Sequence, residues 1–253
     1  MTRAETLPGA GLSPRRLGWL DAARGLALLA MAAYHFVWDL AMFGLVSPAT
    51  PFLPGWVALA RATATTFLIL VGIGLVLGHG HGVRWRPFLR RLALIIGAAA
   101  AITLGTWFAT PDAFIFFGIL HMIAVGSLVG LVLVGLPGWV AFATAVVVLM
   151  IGASVSSPFF DAPIFWWTGL GTVPIRSNDL VPFFPAFAAV AFGIGVAKTL
   201  PLDRPFASLV GPVQTQVSKP LALAGRHSLL VYIAHQPVLI ALIWLYTRLV
   251  ASG

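Results

Sequence analysis

In LDAARGLALLAMAAYHFVWDL, residues 20–40, Asp21, Arg24, His35 and Asp39 interrupt a run that is otherwise almost wholly apolar. His35 and Asp39 lie four residues apart, the spacing at which helical side chains can touch. A histidine beside a carboxylate is the usual apparatus for taking a proton from an alcohol or amine; the carboxylate fixes the tautomer and stabilises the imidazolium. At 100° per residue, Asp21 and Asp39 point the same way, and Arg24, Leu28, Met31 and His35 fall on the stripe between them. At 1.5 Å per residue, His35 stands about 21 Å and Asp39 about 27 Å beyond Asp21. A charge facing lipid at mid-depth costs at least about 2.5–3.5 kcal/mol, so this stripe is expected to face a bundle interior or a wet cavity.

Other apolar runs carry polar groups at a similar depth. In GRHSLLVYIAHQPVL (225–239), Ser228, Tyr232 and His235 share a face at i, i+4, i+7, Gln236 sits beside them, and Pro237 is expected to kink the helix. His121 lies in FGILHMIAVG (117–126), expected about 12 Å below the outer end of its helix. Arg61 enters one turn down in RATATTFLILVGIG, and Asp179 sits at the mouth of another segment. If these helices are neighbours, three histidines, an arginine and two aspartates converge at one level. His79 and His81, in GHGHG, have no carboxylate or cysteine near them, and no metal site is expected there.

The elements that must position these groups are membrane helices. Of 253 residues, 60% are apolar and 9% charged, against about 25% charged in a soluble domain. The mean hydropathy is +0.99. The absence of cysteine excludes a disulfide framework, cysteine-ligated zinc and a thiol nucleophile. A polar tail (1–16) precedes a single domain (17–253). The expected fold is an all-α bundle of about seven transmembrane segments, near 18–44, 56–78, 88–109, 113–135, 138–155, 181–200 and 226–250. Longer connections span 156–179 and 201–220, and the aromatic FFDAPIFWW (159–167) is expected to lie flat at the interface. With the N-terminus in the cytoplasm, Arg3, Arg15, Arg16, Arg24, Arg84, Arg86, Arg90, Arg91, Lys198, Arg204, Lys219 and Arg226 fall inside. Only Arg61, Arg176 and Arg248 fall outside, an asymmetry that fixes the orientation. The net charge of +8 is thus spread over helix ends and makes no face for nucleic acid.

Composition and spacing leave two functions level, an acyl-transferring enzyme and a proton-coupled transporter or lipid-linked-sugar carrier, since both use intramembrane His and Asp. A resemblance separates them. RLGWLDAARGLALLAMAAYHFVWDL (16–40), FLILVGIGLVLG (67–78), FGILHMIAVG (117–126), DLVPFFPAFAAVAFGIGVAK (179–198) and GRHSLLVYIAHQPVL (225–239) resemble the bacterial branch of the heparan-alpha-glucosaminide N-acetyltransferase catalytic family. The first helix, with Asp, Arg-Gly and then a His, is also similar to the membrane acyltransferases that decorate surface polysaccharides. Lysosomal members have Asn at the position of His35, so the catalytic role transfers from the polysaccharide enzymes.

The resemblance implies a multi-pass protein of the bacterial inner membrane that moves an acetyl group from cytoplasmic acetyl-CoA to a sugar hydroxyl or amine on the outer face. His35 is the expected general base, oriented by Asp39, with an acetyl-histidine intermediate as the alternative route. Arg61, His121, Tyr232, His235 and Gln236 are expected at the substrate, and Asp21, Arg24, Arg90 and Arg226 at the acetyl-CoA end. The expected partners are the lipid bilayer, a glycan or sugar acceptor and a second copy of the chain.

Overall fold

A computed structural model describes residues 18–200 and 218–251. Among the described residues, eight α-helices follow one another: α1 Gly18–Met42, α2 Pro54–His79, α3 Trp85–Ala109, α4 Ile119–Val134, α5 Gly138–Ser154, α6 Phe183–Thr199, α7 Ser218–Arg226 and α8 Ser228–Ala251. Short 3-10 turns lie at Thr50–Phe52, Pro111–Ala113, Pro158–Asp161 and Pro163–Thr168. No strand occurs among the described residues. Proline sets several helix starts. Pro54 opens α2, while Pro137 and Pro182 immediately precede α5 and α6, where a missing N–H costs nothing.

α1, α2, α3 and α8 are long and apolar enough to cross a membrane. α4, α5 and α6 are equally apolar but have 16, 17 and 17 residues, about 24–26 Å of helix. α6 is the central element. Val190, Ala191 and Ile194 are completely buried, and Phe187 nearly so, among residues of α2, α4 and α5. The outward faces carry large apolar side chains such as Leu26, Leu29, Leu94, Leu104, Val132, Leu242 and Leu249. Such a surface is stable against hydrocarbon, where only self-satisfied helices survive.

Glycine brings the backbones into contact. A Cβ on Gly72 of α2 would stand 2.1 Å from the Val190 carbonyl oxygen, and one on Gly193 of α6 would stand 2.2 Å from that of Ile69. Small residues at a helix crossing permit this close packing. The same ends recur in the contacts. Arg24 near the start of α1 and Arg91 near the start of α3 both lie against Gly74 near the end of α2. Gly126 and Gly130 of α4 pack on Phe187, Val190 and Ile194 of α6 in parallel order, and Gly138 at the start of α5 meets Lys198 and Thr199 at the end of α6. α1, α3, α5 and α8 therefore run one way, and α2, α4 and α6 the other.

Two expected boundaries are corrected. The fourth segment begins at Ile119, not near 113, because Pro111 opens a 3-10 turn and the chain then stays non-helical to Gly118. His121 is consequently in the first turn of α4, not about eight residues into a helix. The connection expected over 201–220 gives way at Ser218 to α7, a helix of nine residues packed across α1; the stretch 201–217, with Arg204, lies outside the described residues, as does the tail through residue 17. α7 is too short and polar to read as a crossing segment. It is held by contact: a Cβ on Gly225 would stand 1.8 Å from the Asp21 carbonyl oxygen, and one on Gly25 2.0 Å from that of Leu221.

Candidate functional site

α1 and α8 run side by side in the same direction and meet through two polar rungs. In the first, His235 Nε2 lies 3.0 Å from His35 Nδ1. In the second, Gln236 Nε2 donates to Asp39 Oδ1 at 2.6 Å. His35 and Asp39 are one turn apart on α1, so the rungs are separated by about 6 Å along the helix. Both side chains of α1 reach across to α8, and the His35 ring also bonds the Met31 carbonyl of its own helix. No His35–Asp39 hydrogen bond forms, which corrects the expectation that Asp39 orients the ring. The ring meets His235 of α8.

The hydrogen bonds fix the tautomers. His235 Nδ1 faces the Tyr232 carbonyl oxygen, which can only accept, so Nδ1 carries the proton. With the ring neutral, Nε2 of His235 is then an acceptor, and His35 Nδ1–H donates to it. His35 Nε2 is left with its lone pair. A carbonyl–histidine–histidine chain therefore ends in a base on α1, half-buried and turned toward α8. Asp39 is completely buried. Its Oδ2 and the Gln236 Oε1 have no hydrogen-bond partner among the described residues.

A third layer stands behind the first rung. The Tyr232 hydroxyl donates to the Asp179 carboxylate, which also accepts from the Ile119 N–H at 2.9 Å and so caps α4. His121 is part of this cap. Its Nδ1 accepts from the Gly118 N–H at 3.2 Å, and its Nε2 faces the Thr103 hydroxyl at 3.2 Å. That hydroxyl donates to the Ile115 carbonyl at 2.7 Å, so it accepts from His121. Both ring nitrogens of His121 are thus engaged, Nδ1 in the cap of α4 and Nε2 in tying α4 to α3. Ala99, Ile102, Gly118, His121, Asp179 and Tyr232 line a crevice here that is too narrow for a water molecule. Arg61 stands exposed on α2 with no hydrogen bond or ion pair among the described residues.

Eleven residues before His35, Arg24 occupies the same stripe of α1, about 16 Å away. Asp21 Oδ1 lies 3.3 Å from Arg24, and Asp21 Oδ2 lies 3.3 Å from Arg226. A Cβ on Gly74 would be 3.3 Å from one terminal nitrogen of Arg24 and 4.0 Å from one of Arg91, so the two guanidinium groups gather over this glycine. Two arginines thus share one carboxylate and a third stands beside them, and the excess positive charge suits an anionic ligand with several oxygens. Arg91, not Arg90, faces Arg24. The sequence carried that signal: Phe88, Leu92, Ile95 and Ala99 define the buried stripe of α3, and at 100° per residue Arg91 borders it while Arg90 lies opposite.

Beyond the bundle, Asp161 closes the long connection between α5 and α6. It accepts from the Thr172 hydroxyl and N–H at 2.6 Å each and from the Val173 N–H at 3.2 Å. The Thr172 hydroxyl, followed by the two backbone N–H groups, holds the Asp161 carboxyl below its ordinary range. Among the described residues, no group of three His, Asp or Glu side chains could hold a metal ion.

The heparan-alpha-glucosaminide N-acetyltransferase catalytic family matches residues 16–237. No curated protein and no solved structure matches the chain. The matched region runs from the arginine cluster at the start of α1 through both rungs to Pro237. This span is most of the chain, and the protein belongs to the heparan-alpha-glucosaminide N-acetyltransferase catalytic family, a family of acetyltransferases.

Proposed function

We propose that this protein is a membrane-embedded acetyltransferase that moves an acetyl group from acetyl-CoA at the inner face to a sugar hydroxyl or amine at the outer face, with His35 as general base. The carrying observation is the histidine pair. His235, anchored on the Tyr232 carbonyl, accepts from His35 Nδ1 and leaves His35 Nε2 free to take a proton.

The chemistry follows from that lone pair. His35 Nε2 removes the proton from the acceptor O–H or N–H as the acceptor atom bonds to the acetyl carbonyl carbon. The carbon–sulfur bond then breaks, the thiolate departs, and the imidazolium returns the proton to it. Throughout, His235 Nε2 keeps its hydrogen bond from His35 Nδ1–H and stabilises the ring when charged. At the other end of α1, Arg24, Arg91 and Arg226 would hold the phosphates, and Asp21 keeps the first and last of these in place. Arg61, exposed near the outer end of α2, would meet the acceptor.

The alternating directions of the helices and the twelve-to-three distribution of Lys and Arg support seven crossings of the bacterial inner membrane with the N-terminus inside. The test is acetyl transfer from acetyl-CoA by the purified full chain in detergent. Wild type consumes acetyl-CoA and H35A does not; equal consumption by both would overturn the reading. Labelled acetyl-CoA without acceptor separates the routes, since only an acetyl-histidine route leaves label on the protein. A CoA-dependent rise in thermal stability separates the enzyme from a sugar carrier.

A further inference from the structure

The base uses only one of the two rungs between α1 and α8. In the other, Gln236 donates to one oxygen of Asp39, and two acceptors remain, Asp39 Oδ2 and Gln236 Oε1. Asp39 is completely buried. Leaving buried oxygens unpaired is costly, so such a pair is retained where a donor arrives from elsewhere. Nothing in the transfer step requires these atoms, because the His35 ring meets His235 and not Asp39.

The geometry points to Asp39 and Gln236 as a second docking point for the acceptor: their free oxygens accept from a hydroxyl or amino group other than the one acetylated, one helical turn from His35. This rests on the acetyltransferase reading and narrows its substrate. Four residues of α1 separate the rungs by about 6 Å. The acceptor therefore presents its second donor across a ring, not on the same carbon or at a distant branch. A monofunctional alcohol leaves the two oxygens unpaired and binds poorly. A polyhydroxylated ring satisfies both rungs at once. Asp39 is on this account a positioning residue for the acceptor, and Gln236 both holds Asp39 and contributes its own carbonyl.

A competing arrangement makes the opposite forecast. If Asp39 were protonated and returned a hydrogen bond to Gln236 Oε1, the two side chains would form a closed acid–amide pair with no call on a ligand. D39N would reproduce that pair as amide with amide, and would leave acceptor binding unchanged.

The probes are trans-1,4-cyclohexanediol and cyclohexanol, offered with acetyl-CoA to the full chain in detergent. Wild type should favour the diol in kcat/KM by about ten- to a hundredfold, the worth of a hydrogen bond to a charged group. D39N should raise the KM for the diol and bring the diol-to-alcohol ratio toward one. Q236A should do the same, and provides a second variant where D39N fails to insert. Equal use of the two probes by wild type, or a diol KM unmoved in both variants, overturns the docking point while His35-dependent transfer stands. Thermal stabilisation by the diol is read in parallel, without turnover. Stabilisation lost in D39N in a protein that consumes no acetyl-CoA keeps the docking point and overturns the transferase reading. Absence of both signals overturns both.

Discussion

His35 and His235 are 200 residues apart in the chain and 3.0 Å apart in the fold. The division of roles between them is testable by substitution. H35A removes the base and should lower kcat by about 10²–10⁴-fold. H235A leaves the base but removes the α8 acceptor, so that the His35 ring keeps only the Met31 carbonyl of its own helix, and should cost about tenfold. H235Q offers an amide oxygen near the position of Nε2 and should recover part of that loss; no recovery would mean that His235 acts otherwise than as an acceptor. Residue types were legible at this scale: His35, Asp39, Tyr232, His235 and Gln236 stood out because polar groups are rare in lipid. Their pairing was not. The i, i+4 spacing of His35 and Asp39 suggested contact along α1, yet spacing permits a contact without choosing it over a partner on another helix. That choice depends on which helix lies alongside, and no local pattern holds it. His121 illustrates the converse. It read as a site residue, and its place in the first turn of α4 makes it a hydrogen-bonding cap, with both nitrogens taken.

At the scale of elements, α7 was invisible to hydropathy and is held to α1 by two glycines. Replacing Gly225 with Ala places a methyl 1.8 Å from the Asp21 carbonyl oxygen. The two helices must separate, which lengthens the Asp21–Arg226 ion pair. An overpacking cost of about 1–3 kcal/mol is expected as a lower melting temperature in detergent. Gly97 of α3 is the control, since a Cβ there meets nothing within 4 Å, and its replacement by Ala should be neutral or raise stability by about 0.5–1 kcal/mol. Outside the membrane, the Asp161 clasp carries a pH dependence. Its carboxyl is held below the ordinary range by the Thr172 hydroxyl and the two N–H groups. The folded pKa is therefore below the unfolded one, so the clasp is fully present above the unfolded value of about 3.9 and is lost as pH falls through the folded value. Amide exchange at Thr172 and Val173, followed by mass spectrometry, should be slow at neutral pH in wild type and fast in D161N. The two proteins should converge only at acid pH. The sequence marked this segment as a long connection with an aromatic run flat at the interface; the bonds that close it are tertiary and were not readable there.

For the whole molecule, the question that hydropathy left is whether α4, α5 and α6 cross the membrane. Four helices pass on length, and these three fall short of about 20 residues. Their neighbours bear on the matter. α6 is buried against α2, Gly130 of α4 lies at the level of Leu75 and Ile194, and Lys198 at the end of α6 donates to the Val134 carbonyl at the end of α4. Helices packed at the same depth as a crossing helix share its crossing, and short ones are accommodated by local thinning of the bilayer. The two topologies make opposite forecasts at one loop. With seven crossings, Leu136 between α4 and α5 faces the cytoplasm; with only the four long helices crossing, it faces outward. The chain has no cysteine, so single cysteines can be introduced and labelled with an impermeant maleimide in intact spheroplasts. H81C should be protected and V173C labelled under either topology, which calibrates the assay. L136C should be protected until the membrane is opened. Labelling of L136C in intact cells would leave four crossings and would move the end of α8 to the inner face. His35 would still lie on the first crossing helix, facing His235, so the base and its partner would survive that result while the inward orientation of α4 to α6 would not.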